Sequence, residues 1–256
     1  MDKDDYRNHS KNLRRFCKLV RENIYPNLRF KLHHNTRYCT EDHLDVLTHV
    51  ALTHDFTQNG SRTFGFYRKD ETPSSKTILY HIAKFEVEEL LEVFKRTFDQ
   101  IFDMAKAYGI FDEKVDLAID YTDQMYYGDR TSLPMVTGTK PNRGTCYAFK
   151  FATINIVSEG KRFTLMALPK HFLATDEKIV RELITYAKSR VKVGVVYLDR
   201  GFYTVGVIRL LEELGVKYVI PAIHSQRVVR ILQEVEPPCV MDYQIGIIRR
   251  FKGKAR

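Results

Sequence analysis

Paired cysteines are missing: Cys17, Cys39, Cys146 and Cys239 stand singly with no shared spacing, so neither a disulfide framework nor a Cys-x-x-Cys metal knuckle is written into the chain. One local set of zinc-ligand types, His33, His34, Cys39 and His43, has none of the recurrent zinc-finger spacings. Long apolar runs are missing too. No stretch approaches the roughly 18 residues of a membrane-spanning helix. Met1 to Arg15 is rich in charge where a secretory signal needs an apolar centre, so a cytoplasmic location is expected. With 13 Gly and 8 Pro in 256 residues, and no low-complexity tract, the composition is that of a globular protein rather than a disordered one.

Positive charge is plentiful. Lys and Arg number 41 against 32 Asp and Glu, a net charge of +9 and a pI near 9.3, which favours a polyanionic partner such as nucleic acid or an anionic membrane surface. Domains commonly run to about 100–150 residues, so two lobes are expected: a helical one over residues 1–110 and a second over 111–256.

In the first lobe Thr40-Glu41-Asp42 offers a cap and early acids, and Leu44, Leu47, Val50 and Ala51 recur at helical spacing. A polar, Gly-containing loop is expected from Thr57 to Pro73, then a second helix capped by Ser74 or Ser75. Val87, Leu90, Leu91, Phe94, Phe98, Ile101, Phe102 and Ala105 mark a long amphipathic helix that Gly109 can end. The helix-loop-helix between Glu41 and Ala83 has the form of a DNA-reading module, with Lys76, Thr77, Tyr80 and Lys84 on or beside its outer face, and equally that of a plain packing pair.

Beyond Gly109 the pattern turns to strands. Val115 to Asp120, Tyr147 to Val157, Arg162 to Leu168, Val193 to Leu198 and Lys217 to Ile220 read as strands, with helices after Thr175 and from Tyr203 to Leu214. The order β-β-β-α-β-α-β predicts a mixed α/β sheet with helices on its faces. Asp120 and Asp199 each close an apolar strand, at the sheet edge where ligands gather in open α/β folds. Hard carboxylate oxygens there could hold divalent ions for phosphodiester chemistry. An Asp so placed equally suits a turn or the cap of the next helix, and spacing does not choose.

The neighbouring residues resemble the insertion-sequence DDE transposases, whose catalytic core has a ribonuclease-H-like fold. Leu117-Ala118-Ile119-Asp120-Tyr121-Thr122-Asp123 is similar to that family's first strand, where an apolar run leads into Asp-x-Thr; Asp123 is a nearby rival. Val195-Val196-Tyr197-Leu198-Asp199-Arg200-Gly201-Phe202-Tyr203 resembles the second-acid motif, and Val207 to Leu211 with Gly215 to Pro221 resembles its continuation. Gly138-Thr139-Lys140-Pro141-Asn142-Arg143-Gly144 is similar to the basic loop before the second strand. The likeness spans residues 114–222.

It implies a DNA transposase that cleaves and transfers strands at a two-metal Mg2+ (or Mn2+) site, with Asp120 and Asp199 as catalytic metal ligands. Double-stranded DNA is the implied partner, met by Lys140, Arg143, Arg200 and Lys76, and a homodimer is one assembly open to it. The family's third acid, a helical Glu, has no match: Glu234 and Glu236 run straight into Pro237-Pro238, and Glu213 reads as a solvated surface residue. The chain therefore reads as an amino-terminal fragment of a longer transposase, either an enzyme or a non-catalytic DNA-binding remnant that inhibits the intact one. A ribonuclease-H-like nuclease unrelated to transposition is the plainer alternative. Lys150, Arg227, Arg230, Arg249, Arg250, Lys252 and Lys254 are further cations that could meet phosphates or simply face solvent.

Overall fold

Apolar residues at helical spacing become helices α1 (Lys3–Asn23), α2 (Thr40–Thr53), α3 (Thr57–Arg68), α4 (Ser75–Ile82) and α5 (Val87–Ala107) in a computed structural model of the chain. It describes residues 3–68, 71–129, 133, 135–142, 144–236, 238 and 240–241. The chain divides into two compact units, Met1–Ala105 and Lys106–Arg256. Among the described residues no helix is long and apolar enough to cross a membrane, and Cys17, Cys39 and Cys146 are free thiols.

The first unit is centred on Val20, Tyr25, Phe30 and Leu44, with Ile24, Leu28, Leu47, Ile82 and Phe85 packed around them. Burying each such side chain stabilises by about 1.5–3 kcal/mol. A charge network ties its helices together. Asp45, 6% exposed, accepts from Arg21 Nε at 3.0 Å and from the Tyr25 hydroxyl at 3.0 Å, and pairs with Arg68 at 3.3 Å. Burial, with the adjacent Asp45 charge, pushes the Tyr25 phenol up to about 12 despite its Thr48 hydrogen bond.

Residues Thr57 to Arg68 form α3, where a loop was expected. Gly60 and Gly65 read as breakers, but Gly60 is a contact point: a Cβ there would overlap Val50 Cγ2 of α2. Its neighbour Ser61 is buried and donates to Pro73 O at 2.7 Å. Glycine here allows two helices to approach, and that packing outweighs its intrinsic helix penalty of about 1 kcal/mol.

The second unit is a mixed α/β fold. Its strands are β1 (Val115–Met125), β2 (Val136–Asn142), β3 (Thr145–Ile156), β4 (Phe163–Pro169), β5 (Val193–Leu198) and β6 (Lys217–Val219), with helices α6 (Asp176–Arg190), α7 (Val205–Glu213) and α8 (Gln226–Glu234). Hydrogen bonding orders them β2-β3-β1-β5-β6, with β4 also on β3. The long β3 carries β2 beside Thr145 to Phe149 and β4 beside Phe151 to Ile156. β3 runs antiparallel to β1, while β1, β5 and β6 are parallel. The expected mixed α/β sheet is observed, with one strand more than the five read from the sequence. That strand is β2, occupying the segment around Lys140 that was expected as a basic loop; a turn at Gly144, φ +87°, folds it back on β3.

α6 lays Ile179, Val180, Leu183, Ile184 and Ala187 into the core, contacting β3, β4 and α7. Thr175, Thr204 and Ser225 cap α6, α7 and α8 by accepting from the backbone N–H three residues on.

Candidate functional site

The sheet brings Asp120 and Asp199 together. In the parallel β1/β5 ladder Leu117 faces Val196 and Ile119 faces Leu198, and all four side chains are buried. Asp120 is the next residue of β1 and Asp199, still extended, the first after β5; alternation turns both to the opposite side, where both are exposed. Neighbouring strands lie about 4.8 Å apart, so the two carboxylates leave the sheet as neighbours where β5 ends; Asp120 does not close its strand as expected, because pairing with β3 carries β1 on to Met125.

Each acid is held by its own backbone. Asp120 Oδ1 accepts from the Tyr121 N–H at 2.7 Å. Asp199 Oδ1 accepts from the Gly201 N–H at 2.7 Å and caps a 3-10 turn, Arg200–Phe202. The capping role open to Asp199 is thus realised, through one oxygen. Gly201 makes the cap possible, since a Cβ there would sit 2.9 Å from Asp199 Oδ1. Among the described residues, the Oδ2 atoms of both acids are outside the hydrogen-bond network.

Asp123 differs by parity. Three residues after Asp120 it takes the other side of β1, opposite Lys150, where it pairs with Lys150 Nζ at 3.1 Å and accepts from the Thr139 hydroxyl. Burial alone would raise its pKa; Thr139 and Lys150 outweigh that and hold it below the ordinary carboxylate value. Lys150 is thereby taken up as an internal ion-pair partner.

On the same side as Asp123, an aromatic stack lies behind the acids. The Tyr121 ring lies on Phe202, centroids 4.9 Å apart and planes at 15°, and Phe202 is fully buried. The Tyr121 hydroxyl donates to Asp176 Oδ1 at 2.7 Å, and Lys170 pairs with the same oxygen at 2.5 Å. Burial, the Asp176 bond and the negative charges of Asp176, Asp199 and Glu177 raise the Tyr121 phenol well above its ordinary value. Sequence reading missed this cluster; its one available signal was that both aromatics lie within three residues of a candidate acid.

Arg200 is exposed beside Asp199, Lys140 is exposed on β2, and Lys76 is exposed on α4 in the other unit. Arg143, with Arg249, Arg250, Lys252 and Lys254, lies outside the described residues. Glu213 is exposed and pairs with Arg181 at 2.9 Å. Among the described residues no group of three or more His, Cys, Asp or Glu is gathered to hold a metal ion, so neither the His33, His34, Cys39 and His43 set nor a third acid assembles there.

No protein-family model matches the chain, and no curated protein matches it. Solved structures do. A piggyBac transposase synaptic complex with hairpin DNA matches 87% of this chain and 52% of its own, at 12% identity and a TM-score of 0.46. The Drosophila P element transposase strand transfer complex matches 90% of this chain and 50% of its own, at 11% identity and a TM-score of 0.37. The Mos1 strand transfer complex matches 80% and 67%, at 14% identity and a TM-score of 0.26. The chain spans about half the length of the first two. At TM-scores below 0.5 these likenesses carry no residue roles across.

Proposed function

We propose that residues 111–256 form the ribonuclease-H-like catalytic core of an insertion-sequence DDE transposase and that residues 1–110 are a DNA-end-binding lobe. The observation that supports this reading best is that Asp120 and Asp199 each directly follow the last residue pair of the parallel β1/β5 ladder, Ile119 and Leu198, inside the two segments that resemble the family's acid motifs. The substrate is double-stranded DNA in the cytoplasm, bound by a homodimer.

Asp120 and Asp199 would hold Mg2+ or Mn2+. The donor set fits one such ion, because Mg2+ is commonly bound by one or two carboxylates and completes its shell with water and substrate phosphate. A two-metal site needs further oxygen ligands, and the described residues do not gather them. When bound, the cation supplies neutralisation of phosphate charge and an acidified water. The backbone N–H groups of Tyr121 and Gly201 fix the carboxylates. Arg200, exposed next to Asp199, would neutralise DNA phosphate there; Lys140, Arg143 and Lys76 are the other cations proposed to meet DNA phosphates.

A second reading, a non-catalytic DNA-binding remnant that inhibits intact transposase, is favoured by the lack of a third gathered acid among the described residues. Nicking of supercoiled plasmid in Mn2+ separates the two. The catalytic reading expects nicking that Asp120→Asn and Asp199→Asn each reduce by more than about 100-fold, beyond the usual effect of losing a residue that merely supports a ligand, while Asp123→Asn spares it. Retained nicking in Asp120→Asn or Asp199→Asn contradicts the assignment; DNA binding without nicking by the unaltered chain supports the remnant.

A further inference from the structure

The β1/β5 ladder stops at the pair Ile119 and Leu198, one residue short of the acids. Beyond that pair no ladder bond joins the two strands, yet both carboxylates must keep their spacing to share an ion. On the far side of the sheet the Tyr121–Phe202 stack crosses this gap. We infer that Tyr121 and Phe202 are a positioning pair that sets the separation of Asp120 and Asp199 for a shared divalent cation; the inference rests on the reading of those acids as metal ligands.

The connection runs through consecutive atoms on both sides. Tyr121 supplies the N–H that holds Asp120 Oδ1, so where its ring is anchored decides where that donor lies. Phe202 ends the 3-10 turn that Asp199 caps through Gly201, so its burial fixes the turn and with it Asp199. The rings meet nearly parallel. Tyr121 is further restrained by its hydroxyl on Asp176 and by the ammonium groups of Lys170 and Lys150, 4.8 and 5.4 Å from its ring centroid. Those lysines are themselves fixed by Asp176 and Asp123. A ring so restrained is a reference point for the acid beside it. The hydroxyl bond is a secondary restraint, and the ring contact carries the spacing.

The test is Mn2+ titration of the full chain, followed by the paramagnetic signal of free Mn2+, at a temperature where circular dichroism shows every variant folded. Phe202→Leu and Tyr121→Leu remove the stack, Tyr121→Phe keeps it while losing the hydroxyl, and Val180→Ala is a core control placed in α6. Losses of supporting residues around metal ligands commonly weaken affinity about 10–100-fold. Phe202→Leu and Tyr121→Leu should fall in that range, with Tyr121→Phe within about twofold of the unaltered chain and Val180→Ala unchanged. Should Phe202→Leu not fold, Tyr121→Leu, altered at a half-buried site, carries the decision. Unchanged affinity in Tyr121→Leu and in folded Phe202→Leu, or an equal loss in Val180→Ala, overturns the inference. If Asp120→Asn and Asp199→Asn abolish binding in that same experiment, only the positioning role has failed; if they too leave it unchanged, the metal-site reading itself falls and takes the inference with it.

Discussion

Three aspartates on β1 do three different things, and parity along the strand sets Asp123 apart from Asp116 and Asp120. Asp116 turns its carboxylate to β5, accepting from the Val195 N–H at 2.8 Å where the ladder register shifts. Asp120 stands exposed next to Asp199, and Asp123 faces the other way into Lys150 and Thr139. The position of Asp199 just beyond β5 was legible in the sequence as the edge of an apolar run, whereas Asp120 lies within β1, whose further pairing with β3 as far as Met125 the end of the apolar run did not show. What occupies Asp123 was not, because Lys150 lies on another strand and only the β1/β3 register brings them opposite. At this scale the clearest pH response belongs to the helical unit. His81 is 6% exposed, and burial, Lys84 and the neighbouring His43 hold its pKa below the ordinary imidazole value. The folded state therefore resists a proton that the unfolded chain accepts near about pH 6.5. Stability should be full above that pH and fall as the pH drops from there toward the depressed folded value, by at most about 1.4 kcal/mol per pH unit for this group. Urea midpoints between about pH 7.5 and 5.5 check it: His81→Leu should flatten the slope, and an unchanged slope would remove His81 as its source.

Elements were legible where one periodicity dominated. α5 and β5 follow their apolar patterns closely, and Gly109, at φ +70°, lies beyond the end of α5 as its helix-stopping role requires. α3 and β2 were not legible, for opposite physical reasons. In α3 one of the glycines that read as breakers, Gly60, serves packing, and the helix is held through its contact with α2. In β2 the Gly, Pro and Asn around Lys140 read as a loop, yet the segment pairs with β3 and Thr139 bonds Asp123, partners that local sequence cannot display. The α2–α3 contact makes a definite prediction. Gly60→Ala forces a methyl into Val50, and overpacking of this kind costs about 1–3 kcal/mol. Val50→Ala in the same chain opens that space, so the double variant should be less destabilised than the sum of the singles. Thermal or urea unfolding of the four proteins measures the coupling, and simple additivity would show that the helices do not meet as described.

Across the whole molecule, the charge of +9 and the exposed acid pair make a consistent combination. A basic protein attracts a polyanion broadly, and two neighbouring carboxylates on an otherwise cationic chain resist that polyanion unless a cation lies between. The mixed sheet gives that pair its geometry without any contribution from charge. It sets the end of β5 beside the middle of β1, and the residues after the last buried pair emerge together. The central claim is that Asp120 and Asp199 serve one ion jointly. A double-mutant cycle on Mn2+ affinity tests it most directly, comparing the unaltered chain with Asp120→Asn, Asp199→Asn and both together. A shared site predicts that each single change weakens binding by more than about tenfold and that the double variant is little weaker than either. Single variants that bind as the unaltered chain does, or losses that simply add, would contradict it.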